Sequence, residues 1–131
     1  MTRPRPGIDR VSSAWLILRF IDPGAKFLFA PDAALHPEAV AFDMYETGGF
    51  GHEGDRCTFE TLCLAFDITD RKVLSIAETI HDADLEDSRF GRYEGIAMNQ
   101  ILKGWVAQSV PDDALLKRGI DLIEGFYHSL A

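Results

Sequence analysis

Apolar positions recur mostly at helical spacing, in stretches separated by proline, glycine and polar breaks. Residues 9–21 read as a first helix, with Asp9 near its N-cap and Pro23 and Gly24 ending it. On a helical wheel Ala14, Ile17, Leu18 and Ile21 form the inner face, Arg10 falls on that face, and Ser12 and Arg19 lie opposite. Residues 26–30 and 39–43 are short apolar runs joined by a loop with prolines and an aspartate, and they read as a small two-stranded element. A helix follows over residues 58–66, burying Phe59, Leu62, Cys63 and Phe66, with Glu60 at the border of that face.

Residues 70–86 carry the clearest period: Val73, Ala77, Ile80 and Asp84, with Leu74 and His81 alongside. His81 and Asp84 therefore project from the apolar stripe, while Asp82 and Glu86 point away. Two further helices follow, at 95–108 (Ile96, Ile101, Leu102, Trp105, Val106) and from Pro111 to about 129 (Leu115, Leu116, Ile120, Ile123, Phe126, Tyr127). The expected fold is a single α+β domain over 1–131, predominantly helical, with about five helices around a small two-stranded sheet. Surplus apolar surface on the last two helices suits a homodimer contact.

The chain's 131 residues are enough for a proper core. A net charge of -8 argues against non-specific binding to nucleic acid or an anionic membrane. No apolar run approaches the roughly 20 residues of a membrane span. The start M-T-R-P-R-P-G-I-D-R is not followed by a cleavable leader, so the cytoplasm is the expected compartment. Cys57 and Cys63, six apart on one helix, point about 120° from each other and cannot bridge. Cys63 falls among core residues and Cys57 at a helix start; both read as structural.

Candidate chemistry gathers at residues 43–60, where Gly48, Gly49, Gly51 and Gly54 are interleaved with Asp43, Glu46, His52, Glu53, Asp55, Arg56 and Glu60. So many glycines raise the entropy lost on folding and suit sharp turns or close approach of backbone to a ligand. Arg10, facing inward at the positive end of a helix, needs an anion. Arg3 and Arg5 sit on a segment stiffened by Pro4 and Pro6. Asp82, Asp84, Glu86 and Asp87 crowd a helix C-terminus, a strain that a metal ion or the folding back of Arg89 and Arg92 relieves.

The stretches T-R-P-R-P-G-I-D-R-V-S-S-A-W-L-I-L-R-F-I-D-P (2–23), F-D-M (42–44), F-G-H-E-G-D-R-C-T-F-E (50–60) and I-H-D-A-D-L-E-D-S-R-F-G-R (80–92) look like the C-terminal domain of ChrB-type chromate resistance proteins. In fuller members that domain follows a winged-helix-like, DNA-binding segment, and the whole is a chromate-responsive regulator. A chain opening at R-P-R-P-G-I-D-R then resembles a sensor or accessory domain with no direct nucleic-acid contact of its own.

The resemblance implies chromate or a similar tetrahedral oxyanion as ligand. Arg3, Arg10 and His52 supply guanidinium and imidazole donors, with the N–H groups of Gly49, Gly51 and Gly54 as a nest. A second reading is a metal site of His52, Glu60, His81 and Asp84, with Asp43 or Glu46 as substitutes. That donor mixture suits Mn, Fe or Zn and would support a metal-dependent enzyme. The third reading is a buried network serving only the fold, with Arg10 paired to Asp84 or Glu60. All of these place the site where the first helix, the glycine loop and the His81 helix meet.

Overall fold

The computed structural model describes residues 1–44 and 48–131. Among the described residues five α-helices carry the architecture: α1 (Ile8–Leu16), α2 (Thr58–Ala65), α3 (Arg71–Leu85), α4 (Glu94–Ala107) and α5 (Asp112–Ser129). A π-helical turn, Ile17–Ile21, prolongs α1, and a short 3-10 turn lies at Ala33–Leu35.

α1 is the hub, packing against α2, α3, α4 and α5. Eight of its nine residues are buried, all but Arg10, so the one-sided wheel expected for it does not apply. Ser12 and Ser13 are as buried as Val11 and Ala14, because small residues let neighbouring helices approach on every side. The helix also starts earlier than expected. Gly7 is its N-cap, and Asp9 lies inside the first turn. Trp15, 1% exposed, stacks on Phe59 at 6.5 Å and meets Tyr127 at 5.4 Å, while its Nε1 donates to Glu124 Oε1 at 3.1 Å.

No sheet forms among the described residues, which corrects the expected two-stranded element and makes the fold helical rather than α+β. Residues 26–30 and 39–43 do not pair with each other. Met1 and Thr2 run between them: Thr2 N donates to Leu28 O (3.0 Å) and Ala30 N to Thr2 O (2.9 Å). On the other side the Met1 ammonium donates to Val40 O (2.8 Å) and Phe42 N to Met1 O (2.9 Å). The pairing stays at isolated bridges, such as Thr2 with Phe29. Pro4 and Pro6 explain why beside the 28–30 segment: each lacks the N–H that a lengthening ladder requires.

The other helices start and stop for local reasons. Asp70 caps α3 through Lys72 N (2.9 Å) and Val73 N (3.1 Å), and Tyr127 Oη of α5 donates to its second oxygen at 3.0 Å. Glu86, at φ 56°, ends α3 in the left-handed conformation. No helix among the described residues is long and apolar enough to cross a membrane.

One helical glycine shows how closely the layers meet. A Cβ on Gly119 would sit 2.2 Å from Val11 Cγ1, and Val11 is fully buried. On Gly104 or Gly125 a Cβ would meet nothing within 4 Å. Gly119→Ala is therefore expected to destabilise by roughly 1–3 kcal/mol through overpacking, despite its better helix propensity. Gly104→Ala and Gly125→Ala are expected to stabilise by up to about 1 kcal/mol. Urea unfolding of the three variants checks the opposite signs.

Candidate functional site

The glycine loop is pinned before it delivers any chemistry. Phe50 N donates to Ala41 O (2.9 Å) and Asp43 N to Phe50 O (2.7 Å), which fixes the loop to the 41–43 segment. Gly49 is obligatory there: its φ is +73°, and a Cβ would lie 1.9 Å from Ala41 O. Farther on, Glu53 and Arg56 exchange backbone hydrogen bonds around Gly54, at φ +59°. His52 stands between these two fixed points.

Its ring meets carboxylates from three directions. Nδ1 is 3.1 Å from Asp43 Oδ1, Nε2 is 2.8 Å from Asp84 Oδ2, and Nε2 is 3.8 Å from Asp9 Oδ2. Asp43 comes from the end of the 39–43 segment, Asp84 from the last turn of α3 and Asp9 from the first turn of α1. Burial alone would lower the imidazole pKa. The hydrogen bond to Asp84 and the charges of Asp9, Asp43 and Asp84 outweigh it, so the net shift is upward.

Asp9 is the most constrained of the three, 2% exposed. It accepts from Thr58 N (3.0 Å) and Phe59 N (2.9 Å), capping the N-terminus of α2 from a different helix. Burial, then the charges of Asp84 and Asp43, push its carboxyl up to about 7 against those two amides.

Arg3 and Arg10 line the same cleft, which has a volume of about 740 Å³. Both lie 3.8 Å from Asp43 Oδ2, Arg3 through a terminal nitrogen and Arg10 through Nε. Arg10 also clamps the proline-stiffened segment, donating to Arg3 O (2.8 Å), Pro4 O (3.2 Å) and Arg5 O (2.9 Å). Arg5 itself turns to α5, where its backbone N donates to Asp112 Oδ1 at 2.8 Å.

His81 and Glu60 are not in this cleft. His81, fully buried, has Nδ1 2.6 Å from Glu60 Oε1 and Nε2 2.7 Å from Asp87 Oδ2, with its ring edge-on to Phe90 at 5.1 Å. Glu60 Oε1 also accepts from Cys57 N (3.0 Å) at the start of α2. The expected convergence of His52, Glu60, His81 and Asp84 thus divides in two. Three residues on a helix differ by about 4.5 Å in height and 60° in direction, enough for His81 and Asp84 to meet different partners.

Two more expectations are corrected. Asp82 does not point away: it is 4% exposed and accepts from Phe90 N (3.1 Å) and Arg92 N (2.8 Å), folding residues 86–92 back on α3. The arginine side chains pair with other carboxylates, Arg89 with Asp55 (2.6 Å) and Arg92 with Glu78 (2.8 Å), while the charge of Arg89 also reaches Asp87. Glu46, the other proposed carboxylate, lies outside the described residues. Cys57 and Cys63 are buried and free; burial pushes the Cys57 thiol far up and Cys63 to about 12, so neither offers a thiolate near neutral pH.

Asp9 is the residue that sequence reasoning missed, taken for a cap of its own helix. The signal was present in the near-continuous run of apolar and small residues from Ile8 to Leu16, which marks a helix buried all round and so an inward Asp9.

The His81 cluster predicts a pH signature. Burial lowers the imidazole pKa, but Glu60 and Asp87 outweigh it and the net shift from 6.5 is upward. Its contribution to stability is then complete below about pH 6.5 and is lost as pH rises through the folded value. Asp87, hydrogen-bonded to His81, is shifted down from 3.8, so its share is lost only in strong acid. His81→Gln is expected to cost roughly 1–3 kcal/mol at pH 6 and less at pH 9. Thermal melts across that range check it; an unchanged pH slope in the variant refutes it.

The ChrB C-terminal domain family matches residues 1–130 of the chain. Protein ChrB of Cupriavidus metallidurans is 35% identical over 128 residues, covering 96% of this chain and 39% of that protein. The chain thus spans about two fifths of the length of the curated relative it matches. No solved structure gives a significant match. The chain belongs to the ChrB C-terminal domain family.

Proposed function

We propose that this domain serves chromate resistance by binding a tetrahedral oxyanion in the His52 cleft, with the help of a divalent transition metal ion. His52, Asp84 and Asp9 would hold the ion, and Arg3 and Arg10 would face the anion. The observation that carries the reading is the His52 ring: one ligand atom from each of Asp9, His52 and Asp84 lies within 4.8 Å of the others. Asp43 at Nδ1 orients the imidazole so that Nε2 turns to Asp84 and Asp9, the arrangement by which second-shell carboxylates prepare a histidine for a metal.

Charge supports the cation. Asp9, Asp43 and Asp84 stand against the guanidinium groups of Arg3 and Arg10, so a dianion would enter a cleft with no surplus of positive charge. An ion in place of the Nε2 proton would supply it, and an imidazole with carboxylates suits Mn, Fe or Zn. Glu60 and His81, committed to each other and to Cys57 N and Asp87, leave this ligand set.

A metal-dependent enzyme is the second reading. The same ion, held by His52, Asp84 and Asp9, would there act as a Lewis acid toward a substrate in the cleft.

Calorimetric titration with Mn(II) and Zn(II) of protein purified without a histidine tag tests both readings. One equivalent is expected to bind, at least tenfold more weakly in His52→Ala and Asp84→Asn. Affinity should rise from pH 6 to pH 8, because the ion displaces a proton whose pKa is raised. Chromate is expected to bind the metal-loaded protein and to lose at least tenfold in Arg10→Ala, with partial recovery in Arg10→Lys. Absence of metal uptake, or chromate binding indifferent to Arg10, refutes the proposal.

A further inference from the structure

The cleft is far larger than the ligand just assigned to it. Four oxygens around one centre displace about three or four waters, on the order of 100 Å³. The cleft measures about 740 Å³, within the range of pockets that enclose small organic molecules. Its lining is also divided. The charged groups are interlinked around His52 and Asp43, whereas Met44, Phe50 and Leu85 bring apolar surface into the same hollow. Phe50 is held by its backbone bonds to Ala41 and Asp43 and by Phe66 at 5.5 Å, so it is a fixed wall.

Two glycines in that lining are not required by packing. Gly51 is outside the left-handed region, and a Cβ on it would meet nothing within 4 Å. Gly7, at φ -87°, is likewise open. Gly49, with its blocked Cβ position, shows what a packing requirement looks like, and neither of these has one. Bare backbone facing a cavity is what close approach of a ligand requires.

Resting on the reading of the cleft as an oxyanion site, we infer that the cleft also takes an organic molecule carrying a terminal oxyanion group. The charged head lies at Arg3, Arg10 and His52. The body lies against Phe50, Leu85 and the exposed backbone of Gly51.

The probes are phenylphosphonate and inorganic phosphate, which share head-group charge and differ by one ring, titrated into the full chain with and without Mn(II). Phenylphosphonate is expected to bind at least tenfold more tightly than phosphate. Gly51→Val should erase most of that preference, read as the ratio of the two affinities, and the melting temperature should hold, since a Cβ at Gly51 meets nothing within 4 Å among the described residues. Phe50→Leu should lower the preference in the same sense. Equal affinity for the two anions, or a preference untouched by Gly51→Val, overturns the inference and leaves the oxyanion site standing. Binding of neither anion overturns both.

Discussion

The structure depends on a single buried carboxylate. Asp9 leaves α1 to accept the first amides of α2, Thr58 N and Phe59 N, and is 2% exposed as it does so. Those amides belong to the unsatisfied positive end of α2, so the anion has a partner that no water could supply there. Removing the carboxylate would strand two buried donors. Keeping it places a negative group, reluctant to stay charged, against His52. One contact thus joins two helices and sets the electrostatic character of the cleft.

The glycine loop shows how a segment costly in entropy is held in place from Gly49 onward. It is fastened at Ala41 and Asp43 by backbone bonds, at His52 by carboxylates and at Asp55 by Arg89. Glu60 and His81 secure the helix that follows it. The exposed Asp55–Arg89 pair adds little by itself. The loop's order comes from the combination, with the buried members contributing most.

Legibility in the sequence followed the physics of burial. α3 and α5 have one wet and one dry face, so their periodicity showed where they run and Asp70 and Pro111 showed where they begin. α1 has no wet face, and a wheel drawn for a surface helix put Ser12 outside and missed Asp9. The apolar runs at 26–30 and 39–43 had strand-like composition. What they pair with depends on Met1 and Thr2 threading between them, a long-range fact that local pattern does not hold. For the cleft, residue type and spacing suggested Arg3, Arg10, His52 and Asp84, which the fold gathers, and also Glu60 and His81, which it places apart. Helical phase predicts which side a residue faces, and at a three-residue offset it does not decide which neighbour is reached.

α3 bears both centres on one stiff rod, Asp84 to His52 and His81 to Glu60 and Asp87. A twist or slide of that rod that shortens one set of contacts must strain the other, because a packed helix does not flex between positions three apart. Perturbations at the two centres are therefore thermodynamically entangled, and the energies of changes made at each are not expected to sum. The second imidazole, though remote from the hollow, ties the same turns of α3 to Glu60 and Asp87.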